Sequence, residues 1–221
     1  MSGALRTTVL ISGSGSNLQA LIDARDAGQL PVDIIQVISN VADARGLQRA
    51  RQAGIDCSVL EHGAFADRDA FDRALAVLIA AGDPELVVLA GFMRIIGPAV
   101  LEPFRGRMIN LHPSLLPRYR GTDTYRRALA AGDRHHGASI HFVTEELDGG
   151  PVIAQVVIPV LAGDDAASLA ARLGPMEHRL LVATVELFAR RRVECSDGNV
   201  LLDGKTLAKP LRLQDDDRLA A

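Results

Sequence analysis

Thr7-Thr8-Val9-Leu10-Ile11-Ser12-Gly13-Ser14-Gly15-Ser16-Asn17-Leu18-Gln19-Ala20-Leu21-Ile22 is the stretch whose reading decides the fold. It opens on a short apolar run, Val9 to Ile11, which reads as a first strand over 7–11. From Asn17 the period changes. Leu18, Leu21 and Ile22 recur at helical spacing, so a helix is expected over 17–26, stopped by Gly28. Only a Gly/Ser loop joins the two elements.

The same alternation continues downstream. Residues 32–39 read as a second strand, 44–53 as a second helix ended by Gly54, and 57–60 as a third strand. A third helix is expected over 68–81, with Phe71, Leu75 and Leu78 on one face and Gly82 as its stop. A fourth, fully apolar strand follows at 86–90 and a fifth at 107–112. Short apolar strands separated by helices predict an α/β fold, a mostly parallel twisted sheet with helices on both faces in the Rossmann-like manner. After His112 the texture changes, and the C-terminal part reads as mixed or antiparallel. Residues 113–124 form a Pro/Gly-punctuated loop, a short helix is expected around 124–131, and strands at 138–143 and 152–159 flank a polar loop. A long helix covers about 165–192, with a break expected at Gly174–Pro175 because proline removes a helical N–H. Residues 193–202 resemble a hairpin about Asp197–Gly198, and the acidic Asp215–Asp217 reads as a loose tail.

Composition narrows the function classes. The 221 residues are 48% hydrophobic but only 4% aromatic, so a core must rest on Leu, Val, Ile and Ala. A formal net charge of −3 gives no general attraction to nucleic acid, and Arg190, Arg191 and Arg192 read as the solvated, dipole-compensating end of a helix. The two cysteines, Cys57 and Cys195, stand far apart in no metal-like spacing, which points to a reducing cytoplasm. No apolar stretch approaches the ~20 residues that span a bilayer, and the first residues lack a secretory leader's long apolar region. No membrane partner is expected.

Two stretches carry chemistry. Glycines in Ser12–Asn17 let the backbone turn tightly at a helix N-terminus, where unpaired N–H groups favour an anion. A dinucleotide fingerprint would need glycine where Leu18 stands and an acid where Ser39-Asn40 ends the second strand; a triphosphate loop would need Gly-Lys-Ser/Thr. A phosphate monoester is favoured over both, against the plainer reading of a turn capped by Ser16 or Asn17. In Met108-Ile109-Asn110-Leu111-His112-Pro113, strand alternation places Asn110 and His112 on one face at the strand's C-terminal end, suited to a developing oxyanion and a proton. Asp148, in Leu147-Asp148-Gly149-Gly150-Pro151, is the candidate acid to raise an imidazole's pKa. A capping histidine and a simple turn aspartate remain alternatives. His135 and His136 are adjacent and point apart on any regular element, so no metal is expected there; His141 reads as lining the sixth strand and His62 as loop surface.

These residues resemble the folate-dependent formyltransferase family, and within it the phosphoribosylglycinamide formyltransferase branch. The segments LISGSGSNLQALI, VVLAGFMRIIGP, INLHPSLLPRYRG and HGASIHFVTEELDGGPVIAQ carry the resemblance, from about Val9 to about Arg191. It implies transfer of a formyl group from 10-formyltetrahydrofolate, as co-substrate, to the amine of glycinamide ribonucleotide in purine synthesis. It implies catalytic roles for Asn110, His112 and Asp148, and acceptor binding by Gly15, Ser16, Asn17 and Glu177, though Glu177 reads equally as a solvated helix position. It implies a folate site at Met93, Arg94, Ile95 and Ile96, with Asn110 nearby and Arg68 near the glutamate-bearing end, and no metal. The chain departs from the family pattern at Gly174-Pro175, at Leu181-Val182 and at Arg120.

One domain over 1–221 is expected, with a phosphate-binding half at about 7–106, a folate and catalytic half at about 107–192, and a hairpin and tail at 193–221. Its partners are small molecules, and a homodimer is left open. The rivals are formyltetrahydrofolate deformylase, a hydrolase that usually carries an N-terminal regulatory domain where this first strand is expected at about residue 7, methionyl-tRNA formyltransferase, which is longer, and a non-catalytic binding protein on the same fold.

Overall fold

The computed structural model describes residues 3–221, so Met1 and Ser2 of the leader reading lie outside it. The chain forms two compact units, one ending at Asn110 and one running Leu111–Ala221.

The first unit contains β1 (Leu5–Ile11), α1 (Ser16–Asp26), β2 (Val32–Ser39), α2 (Arg45–Gln52), β3 (Cys57–Val59), α3 (Arg68–Ala81), β4 (Leu86–Leu89), α4 (Pro98–Leu101) and the greater part of β5 (Met108–His112). Its strands run parallel in the order β3-β2-β1-β4-β5. Thr7 through Ile11 on β1 are fully buried, as a parallel strand covered on both faces must be. The alternation of strands and helices reads correctly from sequence; β1 starts two residues earlier than expected, at Leu5, because Leu5 pairs with Val32, and α1 starts at Ser16. Strand order reverses beside β1: the chain builds outward through β2 and β3, then returns to place β4 on β1's other side. At such a switch point the loops leaving the two central strands diverge and open a crevice at their C-terminal ends. Here those loops are residues 12–15, after β1, and 90–97, after β4.

The second unit contains the end of β5, α5 (Thr124–Ala130), β6 (His135–Phe142), β7 (Val152–Pro159), α6 (Ala166–Arg190), β8 (Val193–Ser196), β9 (Asn199–Leu202), β10 (Lys205–Thr206), β11 (Leu211–Leu213) and β12 (Leu219–Ala220). β6 and β7 are antiparallel, β11 runs parallel to β7, and β12 folds back on β11. β8, β9 and β10 form a separate antiparallel sheet, with Asp197 and Gly198 both at positive φ in the hairpin turn. The fold is thus the expected α/β one, mostly parallel and flanked by helices, with antiparallel strands toward the C-terminus.

Three expectations need correction. α6 does not break at Gly174–Pro175; Pro175 lies inside one continuous helix of 25 residues. A mid-helix proline costs roughly 3 kcal/mol, but each fully buried Leu or Val side chain contributes about 1.5–3 kcal/mol. Leu169, Leu173, Leu180, Leu181 and Val185 are all fully buried on this helix, so packing outweighs the lost hydrogen bond. β6 begins at His135, three residues before the expected start at Ala138, because His135 and His136 pair with Pro159 and Ile158. Asp215–Asp217 is not a loose tail. It turns between β11 and β12, and Arg179 holds it by pairing with the Asp217 carboxylate and donating to the carbonyls of Gln214 (3.2 Å) and Asp215 (2.9 Å). Arg190–Arg192 is exposed at the end of α6, as expected, and each arginine is also ion-paired: Arg190 meets Glu186 at 2.7 Å, Arg191 pairs with Asp203, and Arg192 meets Glu194 at 2.9 Å.

Candidate active site

In the first unit, the loop after β1 is built for close approach. Gly15 takes φ 69°, and a Cβ there would lie 2.5 Å from the Gly46 Cα on α2. Glycine at both positions lets α2 pack directly behind the loop, where the Gly46 N–H donates to the Gly13 carbonyl at 3.0 Å. Arg49 donates to the Ser14 carbonyl at 2.9 Å and to Gln19 at 3.0 Å, fastening the loop to the helix behind it. Gly15 is the N-cap of α1, and no side chain caps that end. The plainer expectation of a Ser16 or Asn17 cap therefore fails, and the first N–H groups of the helix remain available to an anion. The Asn17 Oδ1, an acceptor, is buried with no partner, so this side chain has an unmet need for a donor. A cavity of about 220 Å³ opens here, lined by Ser12, Gly15, Ser16, Asn17, Gly91 and Met93 among others.

Gly15→Val is expected to combine left-handed backbone strain with a backbone clash against α2. It should lower the thermal midpoint by several degrees and weaken phosphate-monoester binding at least about tenfold. A variant that binds the monoester as tightly as wild type in calorimetry would remove this loop from the anion site.

The 93–96 segment borders the same crevice. Met93 is 73% and Ile95 52% exposed, an unusual apolar display on a loop, while Ile96 is buried. The Arg94 guanidinium lies 5.3 Å from the centre of the Phe71 ring. Arg68 donates to the Ile95 carbonyl at 3.2 Å and lies 3.6 Å from the carboxylate of buried Asp72. Burial pushes the Asp72 pKa up, opposed by Arg68 and by the Gly97 N–H. Exposed apolar side chains beside irregular backbone N–H and C=O groups suit a flat, hydrogen-bonding heterocycle. Asn110 closes the first unit on β5, with Leu89 of β4 as its register partner.

In the second unit, the structure brings His112 and Asp148 together. The His112 Nδ1 lies 3.4 Å from one Asp148 oxygen, and both side chains are more than nine-tenths buried. The other ring nitrogen, Nε2, meets the Tyr119 carbonyl at 2.9 Å. Burial pushes the His112 pKa down, and the Tyr119 carbonyl and Asp148 carboxylate pull against it without restoring the ordinary value. Both ring nitrogens face acceptor oxygens, which favour the protonated ring, while burial opposes them, so the site is poised to exchange a proton. Asp148 moves the other way. Burial raises its pKa, but hydrogen bonds from His141 and the Gly121 N–H (2.8 Å), with the fields of both histidines, leave it below the ordinary value.

Local sequence explains how these groups are held. Asp148 sits at φ 48°, and a Cβ on Gly150 would collide with the Phe142 carbonyl, so the glycine lets the turn lie against β6. The start of the 113–124 loop is pinned by a buried network. Ser139 donates to the Ser114 carbonyl at 2.6 Å, and Gln155 donates to Ser139 at 2.9 Å and to the Leu116 carbonyl at 3.0 Å. Glu177 accepts from the Tyr125 hydroxyl at 3.3 Å, and burial pushes its pKa up to about 7. It is not the solvated helix position of the plainer reading.

Sequence reading missed His141. It lies on β6 as expected, but its Nε2 reaches the second Asp148 oxygen at 3.5 Å and its Nδ1 meets the Phe142 carbonyl at 2.8 Å. No spacing rule could reveal it, because the pairing depends on where the 144–151 turn returns. Tyr125 and Ser12 were missed for the same reason. His135 and His136 point apart on β6, exposed and buried respectively. Among the described residues no group of three or more His, Cys, Asp or Glu could hold a metal ion, and no helix is long and apolar enough to cross a membrane.

Comparison with known proteins gives concordant results. The formyl transferase family model matches residues 5–185. The chain is 49% identical to phosphoribosylglycinamide formyltransferase of Escherichia coli over 203 residues, 92% of this chain and 96% of that one. It is 41% identical to the enzyme of the same name from Haemophilus influenzae, with the same coverage of both chains. Among solved structures, phosphoribosylglycinamide formyltransferase from Coxiella burnetii superposes with a TM-score of 0.88 at 46% identity, covering 92% of this chain and 96% of that one.

Proposed function

The chain belongs to the formyl transferase family, and we propose that it transfers the formyl group of 10-formyltetrahydrofolate to the amine of glycinamide ribonucleotide, yielding N-formylglycinamide ribonucleotide and tetrahydrofolate in purine biosynthesis. The buried His112–Asp148 contact is the observation that carries this reading. It is a proton-handling pair whose histidine can take up a proton and whose carboxylate then stabilises the result. The folate supplies the one-carbon group as co-substrate.

The remaining roles follow from the residues. Gly15, Ser16 and Asn17 hold the acceptor's phosphate through backbone N–H groups and the Asn17 amide. Glu177 accepts hydrogen bonds from the acceptor's sugar hydroxyls. Met93, Arg94, Ile95 and Ile96 receive the heterocycle, partly through main-chain groups, and Arg68 stands at the glutamate-bearing end. As the neutral amine attacks, Asn110 donates its amide N–H to the formyl oxygen on which charge develops. His112 takes the proton that the amine loses and delivers it, directly or through water, to the departing nitrogen. Asp148 stabilises the transient imidazolium. Holding both reactants in one orientation supplies much of the acceleration. Cys57 and Cys195 are not joined in a disulfide, in accord with a cytoplasmic enzyme.

The direct test follows the folate's absorbance change with and without glycinamide ribonucleotide. Deformylation that strictly requires the ribonucleotide is expected. Deformylation without it would replace this reading by the hydrolase, and folate binding without turnover would replace it by a binding protein.

The pH dependence of acceptor binding checks Glu177. Its folded pKa is raised from 4.5 to about 7, so between those values the folded chain holds a proton that the unfolded chain releases. This group's contribution to stability therefore falls as pH rises from 4.5 to about 7. Sugar hydroxyls prefer the ionised form, so acceptor affinity should gain about tenfold between about pH 6 and about pH 8 from this group. Glu177→Gln should abolish that gain, and an identical pH slope in calorimetric titrations of both proteins would remove Glu177 from the sugar site.

A further inference from the structure

The hydroxyl of Ser12 joins three segments that are distant in sequence. It donates to the Asn40 side-chain oxygen at the end of β2 and accepts from the Met93 backbone N–H at 2.7 Å. A serine hydroxyl has one proton, so donation to Asn40 fixes its rotation and turns a lone pair toward Met93. Asn40 is in turn a rigid anchor. It is only 8% exposed, and Ser39 beside it is fully buried and bonds both the Val41 N–H (3.1 Å) and the Val41 carbonyl (2.8 Å). The hydroxyl thus stands where the loops after β1 and β4 diverge, against a cavity that both loops line. Met93 and Ile95, held at this point, are the most exposed apolar side chains of the 93–96 segment.

We propose that Ser12 is the positioning residue for the folate segment: oriented by Asn40, it fixes the backbone at Met93 and thereby the groups that receive the heterocycle. It touches neither reacting group and acts through Met93. The inference rests on the assignment of residues 93–96 to the folate, and it deepens that assignment.

Ser12→Ala should raise KM for the formyl folate about tenfold, through the two lost hydrogen bonds. It should change kcat and the acceptor's KM by less than about threefold, because the loop backbone is independently held by Gly46 and Arg49. Ser12→Thr, which keeps the hydroxyl, should recover most of the loss. Asn40→Ala should raise the folate KM too, and the double variant should add little to either single change. The dissociation constant of a stable formyl-folate analogue, measured by calorimetry without acceptor, should move with KM. Equal changes in both substrates' KM, a loss confined to kcat, or failure of Ser12→Thr to rescue would each overturn the proposal. Wild-type protein that fails to bind the analogue would instead overturn the folate assignment itself, so the two failures are distinguishable.

Discussion

His112→Ala lowers turnover by about 10²–10⁴-fold, the range that a positioned acid–base group supplies, and changes acceptor affinity by no more than a few-fold. The asymmetry follows from where the imidazole sits. It is 5% exposed, with Asp148 at one nitrogen and the Tyr119 carbonyl at the other, and it is remote in sequence from residues 15–17, which are assigned to the phosphate. Truncation removes the proton acceptor and leaves Asp148 with His141 and the Gly121 N–H, so the turn stays ordered. Steady-state kinetics with both substrates, and calorimetric titration of the acceptor, check the two halves. Turnover near that of wild type would sink the mechanism, and a large parallel loss of acceptor affinity would make His112 a structural residue.

The loop after β1 and the Asn110–His112 strand end were legible in the sequence because each signal is local. Glycine at Gly15 answers a positive φ and a close helix, and a two-residue period needs only the strand itself. Elements dominated by their own periodicity, such as α3 and β7, were placed with their observed bounds. What could not be read depends on chain returning from a distance. The His141–Asp148 contact is set by the 144–151 turn, and in the Ser12–Asn40–Met93 relay Met93 lies 81 residues from Ser12. The continuity of α6 through Pro175 was hidden for a related reason. Local propensity names the cost of proline, but only packing against β6 and β7 supplies the compensating term.

The same dependence on distant contacts makes Asp148 the more informative target. Asp148→Asn keeps the side chain's shape and its bond from the Gly121 N–H, but replaces one acceptor oxygen with a donating amide. Asp148 faces His112 Nδ1 at 3.4 Å and His141 Nε2 at 3.5 Å, so one histidine must then present an unprotonated nitrogen. The carboxylate is among the influences that hold the His112 pKa up against burial. Removing it should lower that pKa further, so the limb of the rate profile that belongs to His112 moves to lower pH. Turnover should fall by about 10²–10⁴-fold, since the imidazolium formed during attack loses its stabilising charge. Stability carries a second signature. The folded Asp148 pKa lies below its ordinary value, so its contribution is present above that ordinary value and is lost as pH falls through the folded one. The asparagine variant should therefore be less stable than wild type at neutral pH, and the difference should shrink on acidification. A pH–rate profile superimposable on that of wild type would remove Asp148 from the proton chemistry, whatever the loss in turnover.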